Sequence, residues 1–378
     1  METVSISKSE ARQSDAIHWK QLWSLASLYA SIIIGWIAYQ NYQPKLLIQF
    51  GFTDFAFFLA VSQAIILVVT PPIAGKMGDR FRFEKGHRLP VISSGISFAA
   101  MVFMAVAFTL FSNPGEVFKW ALPVMIVLWL VAMSIFTSPA LSTVELFTPI
   151  DKLPKAMALL TIVANLVYAV EPVIVDIIDY LGAPITFVVG GVVTLASGYA
   201  MKKNSLGLFK QTGNKEVAPD KKQAKTTLLS FAFIFMLGII LGIGTTVMFN
   251  IFPDVLPDKL SSIIGNVDGK LILVGILILS AILSWPISTY INRYSMDNVF
   301  WTSAALIGLS LGGIFLFDIA WVVFALVALF TVMMTTLSVS SLPLAIDRSG
   351  FYDKVFCVGI FFSGVALPEG IFESLQAW

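Results

Sequence analysis

Eleven apolar runs, each long enough to cross a bilayer, follow one another between residues 22 and 372 and leave little chain for anything else. A membrane-crossing helix needs roughly 20 apolar residues. On that rule spans 1 to 11 are predicted at 22–42, 56–75, 90–111, 119–141, 155–177, 183–201, 226–250, 270–291, 298–317, 320–344 and 352–372. Only 12% of residues are charged and 57% are hydrophobic, against about 25% charged in a soluble domain. The expected class is an all-α polytopic membrane protein. The net charge of +1 gives no reason to expect a nucleic-acid partner. The single cysteine, Cys357, lies in an apolar run, which rules out a disulfide framework and reads as a small core residue. The first nineteen residues are polar, so no cleavable signal peptide is expected and span 1 acts as the insertion signal.

The basic residues set the orientation. If the segments between spans alternate sides from a cytoplasmic N-terminus, 20 of the 24 Lys and Arg fall inside; Lys45, Lys119, Lys259 and Lys270 fall outside. That imbalance is the positive-inside pattern. It predicts a multi-pass plasma-membrane protein, inner-membrane in a bacterium, surrounded by lipid. The stretch 202–225 carries seven of the inside cations and reads as a solvated linker. It separates an N-terminal six-helix bundle (1–201) from a C-terminal bundle (226–378).

The halves repeat. "SIIIGWIAYQNYQP" (31–44) is echoed by "GIILGIGTTVMFNIFP" (238–253), and "PIAGKMGDRF" (72–81) by "PISTYINRY" (286–294). "SPALSTVELFTPIDK" (138–152) is echoed by "SLPLAIDRSGFYDK" (341–354), and "YAVEPVI" in span 5 by "GVALPEGIF" in span 11. Four matches in register at an offset near 200 residues mark an internal duplication, and parallel repeats of spans are an architecture of secondary transporters.

The loop "GKMGDRF" (75–81), with its Gly-x-x-x-Asp-Arg core and further cations, resembles the major facilitator superfamily. The segments "GHRLPVISSG", "YQPKLLIQFGFTDF" and "SPALSTVELFTPIDKLPKAMAL" resemble its sucrose-transporter and glycoside–pentoside–hexuronide branch. The resemblance covers essentially the whole chain. It implies two pseudo-symmetric helical bundles that move a small solute by alternating access, with a sugar or glycoside as the branch's cargo. Two features depart from it. Twelve spans are usual, whereas this sequence stops at Trp378 after the eleventh, which predicts a C-terminal bundle without its last helix. In addition, span 2 offers only Gln63 where some cation-coupled relatives carry aspartates.

In the loop after span 2, Gly75 and Gly78 allow close backbone approach, and Asp79 can accept hydrogen bonds from a neighbouring helix N-terminus. Arg80, Arg82 and Arg88 can pair with Glu145 or Asp151 beyond span 4, and Arg293 occupies the repeat-related loop. Together they are the candidate gate; the plainer reading is that the cations only anchor topology. Glu171 and Glu369, each beside a proline and in matching places of the repeat, are ionisable groups within spans. With no Lys or Arg deep in any span, they are the candidate proton-coupling sites, or else polar groups at a wetted helix end. Tyr39, Gln40, Asn41, Gln63, Asn165, Tyr168 and Asn250 are the candidate cavity lining; a mid-span amide needs a partner, so Asn165 either meets solute or bridges two helices, and the plainer reading of Tyr39, Gln40 and Asn41 is an interfacial place at the outer end of span 1. Gly238, Gly242 and Gly244 read as a helix-packing stripe.

These features predict a transporter for a neutral or weakly polar solute, coupled to H+, with no cofactor and no bound metal. The rival is a transporter-fold receptor or assembly partner that docks another protein on the C-terminal bundle. An enzyme is not expected: His18 and His87 both lie outside the spans, and no nucleophile–base set appears.

Overall fold

In bilayer hydrocarbon the chain must satisfy its own backbone donors and acceptors, which leaves helices for sequences of this kind. The computed structural model describes residues 16–52, 56–112, 120–213 and 226–376, and long helices dominate it. Spans 1 to 4 are Trp19–Gln49, Ala56–Lys85, Leu89–Phe111 and Ala121–Leu141. Span 5 is broken into Leu153–Ala169 and Glu171–Leu181, bent by 55°. Span 6 is Ala183–Gly213, and span 7 is Leu228–Asn250 followed by a separate helix, Phe252–Ile264. Spans 8 to 11 are Gly269–Ile291, Met296–Leu316, Ala320–Asp347 and Lys354–Gln376. Among the described residues ten helices are long and apolar enough to cross a membrane, and the bent pair, taken as one span, makes eleven.

A proline marks each break. Pro172 and Pro253 each sit in the first turn of the second piece, where the missing N–H costs nothing, whereas prolines such as Pro139 and Pro343 lie inside unbroken spans. Several helices outrun their apolar cores. Span 2 continues to Lys85, so most of the stretch read as a loop is helix; the turn itself is at Gly86, with φ +73°. Span 6 runs to Gly213, into the stretch read as a linker, whose remainder (214–225) lies outside the described residues, as does Trp378.

Spans 1, 3, 4 and 6 pack on one another in the first half, and spans 8, 9 and 10 in the second. The halves meet along two seams, span 2 against span 11 and span 5 against span 8. Because span 8 repeats span 2 and span 11 repeats span 5, these seams are one contact generated twice by the duplication. Span 11 is held especially close. A Cβ at Gly75 would overlap the Val355 carbonyl oxygen, one at Gly359 the Pro71 carbonyl oxygen, and one at Gly238 the Phe361 carbonyl oxygen. Of the span 7 glycines, Gly238 and Gly242 therefore do pack on the span 11 backbone, whereas Gly244 meets the Met334 side chain.

Candidate functional site

At the end of the bundle that carries the span 2–3 turn, the two halves are tied by charge. Asp79 is buried and accepts hydrogen bonds from the Val355 and Phe356 backbone N–H groups, at 3.1 and 2.8 Å. These are orphan donors in the first turn of span 11, where the helix dipole also favours an anion. Beside it Arg88, 1% exposed, donates to Ser142 Oγ and Glu145 Oε1, both at 2.6 Å. Glu145 Oε2 faces Lys354 Nζ across the seam at 3.0 Å. Arg82 donates to the Phe351 carbonyl at 3.1 Å and lies over its ring. The second half repeats the Arg88–Glu145 pair with its charges exchanged: Asp297 at the start of span 9 meets Arg348 at the end of span 10, at 2.6 Å.

Not every candidate gate residue joins this cluster. Arg80 is exposed and pairs with Glu84 one turn along its own helix, at 2.6 Å. Since span 2 stays helical here, residues 75, 78, 79 and 82 share the seam face and residue 80 points away. The expected pairing of Arg80 with Glu145 or Asp151 is thus replaced by a local one. Asp151 is exposed in the short 3-10 turn Ile150–Lys152. Arg293 is exposed in the turn after span 8, so that loop keeps the repeat's sequence echo without joining the seam cluster. Lys354, which does join it, drew attention in the sequence only as one more basic loop residue.

Between the seams lie two adjoining cavities of about 180 and 200 Å³. The first is walled by spans 1, 4, 5, 7, 8, 10 and 11, and its polar lining includes Asn165, Tyr168, Thr245, Ser280, Thr331 and Ser338. The second is lined by Gln40, Gln63, Ser134, Thr137, Ser138 and Glu369 among others. Tyr168, Phe362 and Val365 belong to both walls. Among the described lining residues Glu369 is the one carboxyl, and there is no Lys, Arg or His. Asn165 donates to Ser280 Oγ at 2.8 Å, and Ser280 is hydrogen-bonded to Thr335 at 2.7 Å, an uncharged chain across the second seam.

The other candidates are placed as follows. Tyr39 is buried, stacked on Trp129 at 4.6 Å, and donates to Gln63 Oε1 at 2.8 Å. Asn41 donates to Asp179 Oδ1 at 3.0 Å, beside the Lys45–Asp179 ion pair, and so belongs to the rim at the far end, not to either cavity lining. Asn250 ends the first helix of span 7 and lines neither cavity. Glu171 opens the second piece of span 5, with Lys270 as its charged neighbour, and also stands off both linings. The sequence reading missed Glu373. It lies one turn beyond Glu369, and its Oε2 accepts from Gln63 Nε2 at 2.6 Å. The fourfold spacing from Glu369 was its only signal, because the apolar run ends one residue before it.

Comparison with known proteins agrees with this architecture. No curated protein sequence matches the chain. Among solved structures, the human organic anion transporter MFSD10 (TETRAN) aligns with a TM-score of 0.65 at 11% identity, over 95% of this chain and 93% of that one. A bacterial homologue of the iron transporter ferroportin, in an outward-facing state, gives 0.63 at 16% identity over 96% of both chains. The proton:xylose symporter XylE gives 0.61 at 12% identity, over 95% of this chain and 88% of that one. At these identities the likeness is one of fold. The sequence itself supplies the family, since the model of the Major Facilitator Superfamily matches residues 24–371. With its duplicated helical bundles and the cavity between them, the chain belongs to the Major Facilitator Superfamily, a family of secondary transporters and not of enzymes.

Proposed function

We propose that this transporter moves a small neutral or amphipathic solute by alternating access, coupled to H+ through Glu369, with the N-terminus and the span 2–3 turn on the cytoplasmic side. The observation that carries the reading is the lining of the paired cavities: a mostly apolar wall with hydroxyls, amides and aromatic rings set into it, one carboxyl, and no cation among the described residues. An anionic solute would need a positive partner in so dry a site. A neutral polyol or glycoside needs donors and acceptors of the kind that Asn165, Ser280 and Ser338 provide. Glu369 is preferred to Glu171 because it alone of the two faces the cavity.

The ties at the cytoplasmic end support an alternating cycle. Asp79, Glu145 and Lys354 join the halves there, while at the outer end the ion pairs Lys45–Asp179 and Lys259–Asp318 each stay within one half. The test is uptake into proteoliposomes under an imposed pH gradient, with a panel of neutral, amphipathic and anionic solutes. The expected result is gradient-driven accumulation of a neutral or amphipathic solute. Glu369→Gln is expected to abolish accumulation and retain solute counterflow. Accumulation undiminished in Glu369→Gln defeats the coupling assignment, and flux confined to anions defeats the substrate class.

A further inference from the structure

At the outer end of the same seam a second, differently built tie crosses between the halves. Tyr39 of span 1 donates to Gln63 Oε1 of span 2, and Gln63 Nε2 donates to Glu373 Oε2 of span 11. The order fixes each partner's role. Tyr39 is held by its stack on Trp129, and its hydroxyl proton points at the amide oxygen, which turns the amide nitrogen toward Glu373. Glu373 is half-buried, and Gln63 is 5% exposed. Immediately beside it the backbones have no spare room, since a Cβ at Gly370 would lie 2.7 Å from Ala64 Cβ. Span 11 is therefore fastened to span 2 near both of its ends, by Asp79 at one and by Glu373 at the other.

We propose that Gln63 and Glu373 form the outer gate of the transporter, positioned by Tyr39, and that protonation of Glu373 loosens it. An amide N–H to an ionised carboxylate is a charge-assisted bond, roughly twice as strong as its neutral counterpart. Adding a proton removes that assistance. Among the described residues the titratable groups that act on Glu373 are Glu369, one turn deeper on its own helix, and Tyr39 on span 1; span 2 meets it with the amide of Gln63. No cation is among these groups, so the bond to Gln63 is where the carboxylate's charge is met. A low outer pH would then open the path to the cavity at the same time as it supplies the proton.

The inference rests on the proposed orientation and H+ coupling, and its test is independent of flux. In a Cys357→Ala background, Ala366→Cys places a reporter thiol in the cavity wall, read by a membrane-impermeant thiol reagent added outside proteoliposomes. Because the thiolate is the reacting form, each rate is divided by that of the same protein unfolded at the same pH; on that scale labelling is expected to speed up about tenfold between pH 8 and pH 5, the factor for losing about 1.4 kcal/mol of charge assistance. Glu373→Gln and Gln63→Leu are expected to label at the fast rate throughout, and Glu373→Asp to restore a pH-dependent rate. A Glu373→Gln protein that keeps the normal pH profile overturns the gate, and so does a Gln63→Leu protein that labels as slowly as its parent at pH 8. If the gate behaves as expected but Glu369→Gln still accumulates solute, the coupling assignment fails and the gate stands.

Discussion

Gly75 gives the most direct test of whether the seam at the span 2–3 turn is a closed door or a permanent weld. In Gly75→Ala the added Cβ would overlap the Val355 carbonyl oxygen and sit 2.8 Å from Phe356 Cα. Carbon–carbon contacts prefer about 3.5–4.0 Å, and both obstacles are backbone, so the seam must widen by roughly 0.7–1 Å. That stretches the Asp79 bonds, now 2.8 and 3.1 Å, beyond hydrogen-bonding range. Overpacking of this kind costs about 1–3 kcal/mol. Losing two bonds to a charged acceptor, partly offset by rehydration, keeps the total near 2–3 kcal/mol. The closed state should thus lose about 30–150-fold in weight relative to the state open at that end.

Two further alanines calibrate the effect. At Gly78 the obstacle is Val355 Cγ1 at 2.9 Å, a methyl that can rotate away, so a shift of about 1 kcal/mol is expected. At Gly207 nothing lies within 4 Å, and alanine should only gain helix propensity, up to about 1 kcal/mol in stability, without moving the equilibrium. The assay is labelling of Ala366→Cys, in the Cys357→Ala background, from the cytoplasmic face of oriented vesicles. Rates should rank Gly75→Ala above Gly78→Ala above Gly207→Ala. Equal rates for Gly75→Ala and Gly207→Ala would refute the reasoning, because the seam would then not be what closes that face.

Removing Glu145 strands a fully buried guanidinium, so Glu145→Gln should cost about 3–5 kcal/mol in thermal unfolding, whereas Arg80→Ala, which breaks an exposed pair within one helix, should stay within about 0.5 kcal/mol. Asn165→Leu removes the donor to Ser280 and leaves an apolar side chain in the cavity wall. Solute counterflow should fall at least tenfold, with stability changed by about 1 kcal/mol or less, as checked by flux and melting of the same preparation.

The spans were legible because hydropathy reports directly on which segments can leave water: spans 3, 4, 8 and 9 end within two residues of their expected limits. The sequence echoes between the halves were legible too, and the helix dipole alone pointed Asp79 to a neighbouring helix N-terminus, where it accepts the Val355 and Phe356 N–H groups. What escaped was whatever depends on the phase of one helix against another. Arg80 and Arg82 are two residues apart in a basic run, and only the continuation of span 2 to Lys85 turns one to the seam and the other to solvent. Lys354 and Glu373 lie near the two ends of span 11, where a hydropathy window treats charge as punctuation. Their partners, Glu145 and Gln63, are some 200 and 300 residues away in sequence, and no local pattern carries that information.

The two seams are equivalent by duplication, yet they are fastened by different chemistry. The span 2–span 11 seam is tied by ions near its ends, at Asp79, Glu145–Lys354 and Glu373. Groups at such positions meet water when they part, and water repays much of what the bonds supplied. The span 5–span 8 seam is tied at mid-depth by Asn165, Ser280 and Thr335, all neutral. Parting these would leave polar groups facing a low-dielectric interior, which is costly unless something polar takes the vacated place. Asn165 and Ser280 are also in the cavity wall, so the group best able to take that place is a hydroxyl or amide of a bound solute. The same side chains that hold the halves together at that depth are the ones a solute would engage, and solute binding would thereby lower the cost of separating them.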